Sequence, residues 1–170
     1  MNFFFQKVEG RSLSNFWEGQ VRIGDRVYGS GECGFQGEKF FRVSRYSTDS
    51  RKQELISYGE KFLTCTSGAV VKRMGRALRL TPEELDIWNR ESIHVQEEIC
   101  QYKFDTYEEV REDLRKSKGK WLIHPAMRCS DDKVKHRVWE GRVVMIEGNP
   151  TILGGNQLGN IWMRLRDSKI

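Results

Sequence analysis

The stretch Gly31-Glu32-Cys33-Gly34-Phe35-Gln36-Gly37-Glu38-Lys39-Phe40 follows a run, Gln20 to Tyr28, that reads as a β-hairpin turning at Gly24-Asp25. The stretch itself predicts a helix from about Glu32 to Val43. Ser30 or Gly31 can cap it, and Glu32 falls in the first turn, where the helix dipole favours a carboxylate. A hairpin leading straight into a helix points to an α+β arrangement. Glu32 and Lys39 stand two helical turns apart, so both project from one face with a rise of about 10 Å between them. That span is too long for a relaxed ion pair, yet it suits an acid and an amine reaching inward to either side of a sugar. The competing reading is an amphipathic surface helix with ordinary solvated charges.

Working outward, Phe3 to Lys7 reads as a short strand, and Val21, Ile23 and Val27 are apolar positions of the hairpin. Ser44 to Arg51 is polar and reads as a loop, Gln53 to Leu63 as a short helix, and Ser67 as the cap of a helix running through Arg79. Thr81-Pro82-Glu83-Glu84 combines a hydroxyl cap, a proline and a glutamate at the third position; it opens the longest helix, packed through Leu85, Trp88, Val95, Ile99 and Tyr102. Asp105 or Thr106 caps another helix with Tyr107, Val110 and Leu114 inward, stopped by Gly119. Trp121 to Ile123 reads as a strand ending at His124-Pro125, Met127 to Arg137 as a polar loop, and Val138 to Ile146 as extended up to the turn Glu147-Gly148-Asn149-Pro150. Gly154-Gly155-Asn156 is an expected cap for a last helix whose Leu158, Ile161, Trp162 and Leu165 face inward. With no internal repeat and no linker, the order predicts a single mostly helical α+β domain over residues 1–170 with small antiparallel β elements.

Composition sets bounds on function. At 170 residues, a single core can bury about two thirds of the unfolded surface. Hydrophobic residues make up 38% and charged residues 31%, a globular balance with no disorder-promoting excess. The apolar run Val143-Val144-Met145-Ile146 is too short to cross a bilayer, and Phe3-Phe4-Phe5 is followed at once by Gln6, Lys7 and Glu9 instead of a secretory apolar region. The expected location is the cytoplasm, with no membrane and no obligate protein partner. The four cysteines lack the paired spacing of a zinc or dithiol site, so they are expected to be reduced and mostly buried, and no metal is called for. A net charge of +5 permits anionic partners without requiring them.

Leu13-Ser14-Asn15-Phe16-Trp17, the hairpin, and Glu32 with Phe35-Gln36 and Lys39-Phe40 together resemble the opening of the NADAR family, the NAD- and ADP-ribose-associated domain that includes the YbiA-like N-glycosidases. The likeness continues through Ala69 to Lys72-Arg73-Met74-Gly75-Arg76, Trp88, Lys103-Phe104, Trp139 with Gly141, and Gly155-Asn156-Gln157-Leu158-Gly159 with Met163 and Arg166, roughly from Phe5 to Arg166. The resemblance implies hydrolysis of N-glycosidic bonds without a cofactor. The substrate is then ADP-ribosylated guanine in DNA or RNA, or a small ADP-ribosyl or phosphoribosyl compound such as the ribosylamino-pyrimidine phosphate of riboflavin synthesis. It further implies substrate contacts from Asn15, Phe16, Trp17, Phe35, Gln36, Arg76, Trp88, Trp139 and Asn156.

Breaking a ribose–base bond passes through an oxocarbenium-like transition state, which a carboxylate can stabilise while activating water; Glu32 is the candidate. A poorly solvated Lys39 has a lowered pKa and can attack the anomeric carbon, or it can serve as a plain electrostatic partner of phosphate or leaving base. Glu38 points to another helix face and is set aside. Asn15 can hydrogen-bond sugar or base, or form an Asx turn. Lys72, Arg76 and Arg79 share a face that can hold a diphosphate or simply be solvated. Trp17, Trp88 and Trp139 can stack on a base, although Trp88 also sits on the core stripe of its helix. The chain departs from the family pattern where His136, three residues before Trp139, and His124 stand in for acidic residues; this opens a general-acid role for His136. The rival classes are a non-catalytic binder of NAD or ADP-ribose and a nucleic-acid-binding module, for which the usual zinc and RNP motifs are missing.

Overall fold

The expected hairpin forms from β1 (Val21–Ile23) and β2 (Arg26–Tyr28), antiparallel in the register Val21↔Tyr28, Arg22↔Val27 and Ile23↔Arg26. Val21, Ile23 and Tyr28 are buried; Val27, expected among the apolar positions, is 47% exposed because the alternation of the strand turns Tyr28 inward instead. The hairpin belongs to one of two compact units in the computed structural model, the central unit Asn15–Asp105. The terminal unit joins Met1–Ser14 to Thr106–Ile170. The structure describes residues 1–3 and 7–170, so the strand expected over Phe3 to Lys7 lies largely outside the described residues.

In the central unit, helix α1 (Gly31–Ser44) starts where the side-chain oxygen of Ser30 accepts the Cys33 N–H at 3.2 Å. It lies close on the hairpin because Gly37 has no side chain: a Cβ there would come within 2.7 Å of the Tyr28 ring and 2.9 Å of Phe62. Helix α2 (Asp49–Glu60) and the 3-10 turn Lys61–Leu63 follow. The loop expected over Ser44 to Arg51 is therefore shorter than its polarity suggested. Only Leu55 and Gly59 of α2 are buried, so most of the helix faces solvent and carries little apolar periodicity. Ser67 caps α3 (Gly68–Ala77) as expected, accepting from the Val70 N–H.

Helix α4 (Pro82–Thr106) opens with a reciprocal capping box. The Thr81 hydroxyl accepts the Glu84 N–H at 3.2 Å, and the Glu84 carboxylate accepts the Thr81 N–H at 2.9 Å. Leu85, expected inward, is 46% exposed, because Glu84 takes the inward position and receives Arg51 as well. Trp88, Val95 and Ile99 join Val21, Ile23, Phe40, Leu55, Phe62 and Val71 in the core cluster, where each large side chain contributes about 1.5–3 kcal/mol.

In the terminal unit, α5 (Glu108–Lys116) buries Val110 and Leu114, but its cap position is Tyr107, since α4 runs on through Thr106. Trp121 to Ile123 forms no strand. Asn2 and Ile123 make a single parallel bridge, and the Asn156 side chain takes the neighbouring backbone groups, donating to the Leu122 carbonyl at 2.9 Å and accepting the His124 N–H at 3.0 Å. The polar stretch Met127 to Arg137 contains the one-turn helix α6 (Asp131–Val134). Strand β3 (Arg142–Ile146) pairs antiparallel with β4 (Asn149–Leu153), an element hidden in the sequence because Asn149-Pro150 read as turn residues. Helix α7 (Gln157–Lys169) buries Leu158, Ile161, Trp162 and Leu165, and Trp162 donates to the Leu13 carbonyl at 2.9 Å. Asn156 precedes α7 in the left-handed conformation (φ 45°), with its side chain committed elsewhere, so it is not the side-chain cap expected of it.

The architecture is α+β, mostly helical with two small antiparallel pairs. The four thiols are free; Cys33 and Cys100 are buried, Cys65 and Cys129 half-buried. Among the described residues, no helix is long and apolar enough to cross a membrane.

Candidate active site

Glu32 lies in the first turn of α1 with 7% of its surface exposed. Gln36, one turn later, donates its side-chain amide to Glu32 Oε1 at 2.9 Å, and Asn15 hydrogen-bonds the same carboxyl. Asn15 is itself locked by a reciprocal amide pair: its Nδ2 donates to Gln96 Oε1 at 2.8 Å, and Gln96 Nε2 donates to Asn15 Oδ1 at 3.0 Å. Because Asn15 Oδ1 accepts from Gln96 and a carboxylate can only accept, the Asn15 N–H group must be the one that serves Glu32. Burial raises the Glu32 pKa above the ordinary carboxylate value; the Gln36 bond, the Lys72 charge and the Asn15 bond pull it back only in part.

Lys39 stands on the same face of α1, two turns along, and donates from Nζ to the Gly75 carbonyl of α3 at 2.6 Å. Burial lowers its pKa, with the neighbouring Arg76 charge adding to the effect. Gln36 lies between the two, and its amide presses on Gly75: a Cβ at that position would come within 2.0 Å of Gln36 Oε1. A side chain there would have to displace the Gln36 amide, and with glycine in place the α3 backbone lies close enough to α1 to receive Lys39. Lys72 and Arg76 of α3 are exposed; Lys72 Nζ lies 5.8 Å from the centre of the Phe16 ring, which itself rests on Gly68.

The expected aromatics divide by burial. Phe16 and Phe35 are half-buried, while Trp88 is core, its ring 5.1 Å from Phe35. Trp17 is buried with the Lys103 ammonium 5.3 Å from its ring centre, and Lys103 has no exposed surface at all. Glu38, set aside from the sequence, is wholly buried among arginines and Tyr28.

The central unit thus brings together Asn15, Glu32, Gln36 and Lys39, with Phe16 and Arg76 packed on or beside the same α1–α3 pair. His136, Trp139 and Asn156 belong to the terminal unit. His136 is exposed in the turn after α6, Trp139 is half-buried, and Asn156 uses its amide to tie residues 122 and 124. His124 stacks on Phe3, ring centres 5.6 Å apart. Among the described residues, no group of three His, Cys, Asp or Glu is placed to hold a metal ion.

Gln96 is the site residue that sequence reasoning missed. Its signal was there in the inward stripe of α4, where Ser92, Gln96, Cys100 and Lys103 put polar groups at helical spacing on a buried face; buried amides need partners, and Asn15 is the partner.

No family model matches the sequence, and no curated protein matches it. Among solved structures, the NMR structure of the E. coli protein YbiA is similar over 99% of this chain and 83% of its own, with a TM-score of 0.66 and 22% sequence identity. The chain has a YbiA-like fold.

Proposed function

We propose that this protein is an N-glycosidase, a hydrolase that cleaves the bond between ribose and a base nitrogen in ADP-ribosyl or related phosphoribosyl compounds, with ADP-ribose on guanine in nucleic acid or nucleotides as its leading substrate. The observation that carries this reading is the buried Glu32 carboxyl, gripped by two neutral amides and sharing a helix face with the desolvated Lys39 amine. Surface charges need no such setting. The resemblance of the Leu13 to Phe40 signature and the YbiA-like fold support the same assignment.

In the proposed reaction the C1′–N bond breaks with its electron pair moving to the base, and positive charge builds on the ribosyl ring. Glu32 as carboxylate stabilises that charge and takes a proton from the water that attacks C1′. A carboxyl whose pKa lies above the ordinary range accepts this proton more readily, and can return it to the departing base. Lys39 with a lowered pKa supplies a fraction of free amine, able to attack C1′ and form an imine once the ring opens; as an ammonium it holds phosphate instead. Arg76 and Lys72 lie on the adjacent α3 face and suit the diphosphate.

The test is incubation with guanine-ADP-ribosylated DNA and RNA, and separately with NAD, ADP-ribose and the ribosylamino-pyrimidine phosphate, following release of base or ADP-ribose by mass spectrometry. Release from the guanine substrates is expected. Turnover of the pyrimidine phosphate alone would move the activity to riboflavin chemistry, and binding without any turnover would make the protein a ligand-binding module. Borohydride trapping of an adduct on Lys39 distinguishes the imine route from electrostatics.

A further inference from the structure

Another face of α1 borders a cavity of about 330 Å³ in the central unit, lined by Arg26, Glu38, Arg42, Arg45 and Glu98 among others. Its organising residue is Glu38, which has no exposed surface and accepts Arg26 Nε at 2.7 Å, Arg26 Nη2 at 2.9 Å, the Tyr28 hydroxyl at 2.5 Å and Arg42 Nε at 3.1 Å. These bonds hold two guanidinium groups rigidly at the cavity, and Arg26 is fixed further by lying 4.1 Å over the Phe41 ring. They leave Arg26 Nη1 unused by Glu38. Arg42 Nη2 donates to Glu98 at 2.6 Å, and its Nη1 stands 3.8 Å from Glu91. Among the described residues, the exposed Arg45 guanidinium makes no side-chain hydrogen bond or ion pair.

We propose that this cavity binds a phosphate group, as an anion site separate from the one built on Glu32. Arg26 Nη1 and the Arg45 guanidinium, which no carboxylate takes, are the donors this cavity offers to phosphate oxygens, and Glu38 holds Arg26 in place for them without further ordering. Asp25 also lines it, but its side chain is fully exposed and 4.0 Å from Arg22. Glu98 is 51% exposed on its side chain and rests on the buried Arg42 as an internal stand-in for the ligand, which a phosphate reaching Arg42 has to displace. Repulsion from the C-terminal end of α1 is reduced, because the carbonyls of Arg42, Val43 and Ser44 already accept the N–H groups of Arg45, Tyr46 and Ser47. The ligand's phosphate can belong to a free nucleotide or to a nucleic-acid backbone.

The test is titration of the full chain with inorganic phosphate, read by the arginine Nε–Hε resonances in nitrogen-15 NMR spectra. Saturable shifts of Arg26, Arg42 and Arg45 are expected. Arg45→Ala, which touches none of the Glu38 bonds, is expected to weaken binding at least about fivefold, and Glu98→Gln to strengthen it about threefold. Absence of saturable shifts up to about 20 mM phosphate, or affinities unchanged in both variants, overturns the proposal. Competition by ADP against a short single-stranded oligonucleotide then distinguishes the two sources. None of these readouts depends on turnover at Glu32, so the two proposals fail separately.

Discussion

Two carboxylates six residues apart on α1 are both buried, Glu32 at 7% exposure and Glu38 at none, and yet their pKa values move in opposite directions. Burial pushes both up. At Glu38 it is overcome by the Arg26, Tyr28 and Arg42 hydrogen bonds and the Arg26 charge, so the group stays ionised below its ordinary range. At Glu32 the donors are the neutral amides of Gln36 and Asn15, with Lys72 as the charged neighbour, and burial wins. At Glu38 charged donors outweigh burial, and at Glu32 neutral ones do not. One face of α1 fixes the fold through Glu38, while the other holds the Glu32 carboxyl with its pKa raised.

The largest effect should come from breaking the structural member of the pair. Glu38→Ala leaves Arg26 and Arg42 without their buried counter-charge and is expected to cost about 3–5 kcal/mol, read as a lowered urea midpoint. A loss under about 1 kcal/mol would mean that Glu38 is not the anchor described here. Glu32→Gln should do the reverse. The near-isosteric amide removes a desolvated charge, so stability stays within about 1 kcal/mol of the parent, while release of base falls by about 10²–10⁴-fold. A variant that unfolds without losing specific activity would exchange the two roles.

The pH dependence of stability sharpens the same contrast. For Glu32, the native state holds a proton between the ordinary value of 4.5 and its raised folded value that the unfolded chain has lost, so stability falls as pH rises through that window. For Glu38, the unfolded chain takes up the proton first below 4.5, so stability falls as pH drops toward the lowered folded value. Each pH unit between folded and unfolded values corresponds to about 1.4 kcal/mol. Urea midpoints measured across pH should therefore lose their acid-side slope in Glu38→Gln and their slope above pH 4.5 in Glu32→Gln.

Much of this was legible in the sequence where local chemistry decides structure. Ser30, Ser67 and Thr81 announce their helices because capping is read from a few adjacent residues, and Gly24-Asp25 marks the first hairpin for the same reason. The i,i+7 spacing of Glu32 and Lys39 placed both on the face that turns toward α3. What the sequence hid depends on distant partners. Asn156 reads as a cap, yet its amide crosses to residues 122 and 124 and leaves them without a ladder. Strand β4 was hidden for a different reason: its partner β3 is adjacent, and Pro150 reads as a turn residue although it pairs with Met145 across the Glu147-Gly148 turn. Gln96 is the sharpest case, since it meets Asn15 across eighty-one positions of sequence.

That contact gives the smallest and most discriminating test. Gln96 bonds Asn15 and not Glu32; in the proposed reaction it acts by orienting the Asn15 amide so that its N–H group faces the carboxyl. Gln96→Leu fills the volume but frees Asn15 to rotate its oxygen toward Glu32, which removes a donor and raises the carboxyl pKa further. Turnover is expected to fall by about tenfold, with the acid limb of the pH–rate profile moving to higher pH. A general loss of packing would lower activity without moving that limb. In an Asn15→Ala background there is no amide left to orient, so Gln96→Leu should then cost little; equal losses in both backgrounds would show that Gln96 works by some route other than Asn15.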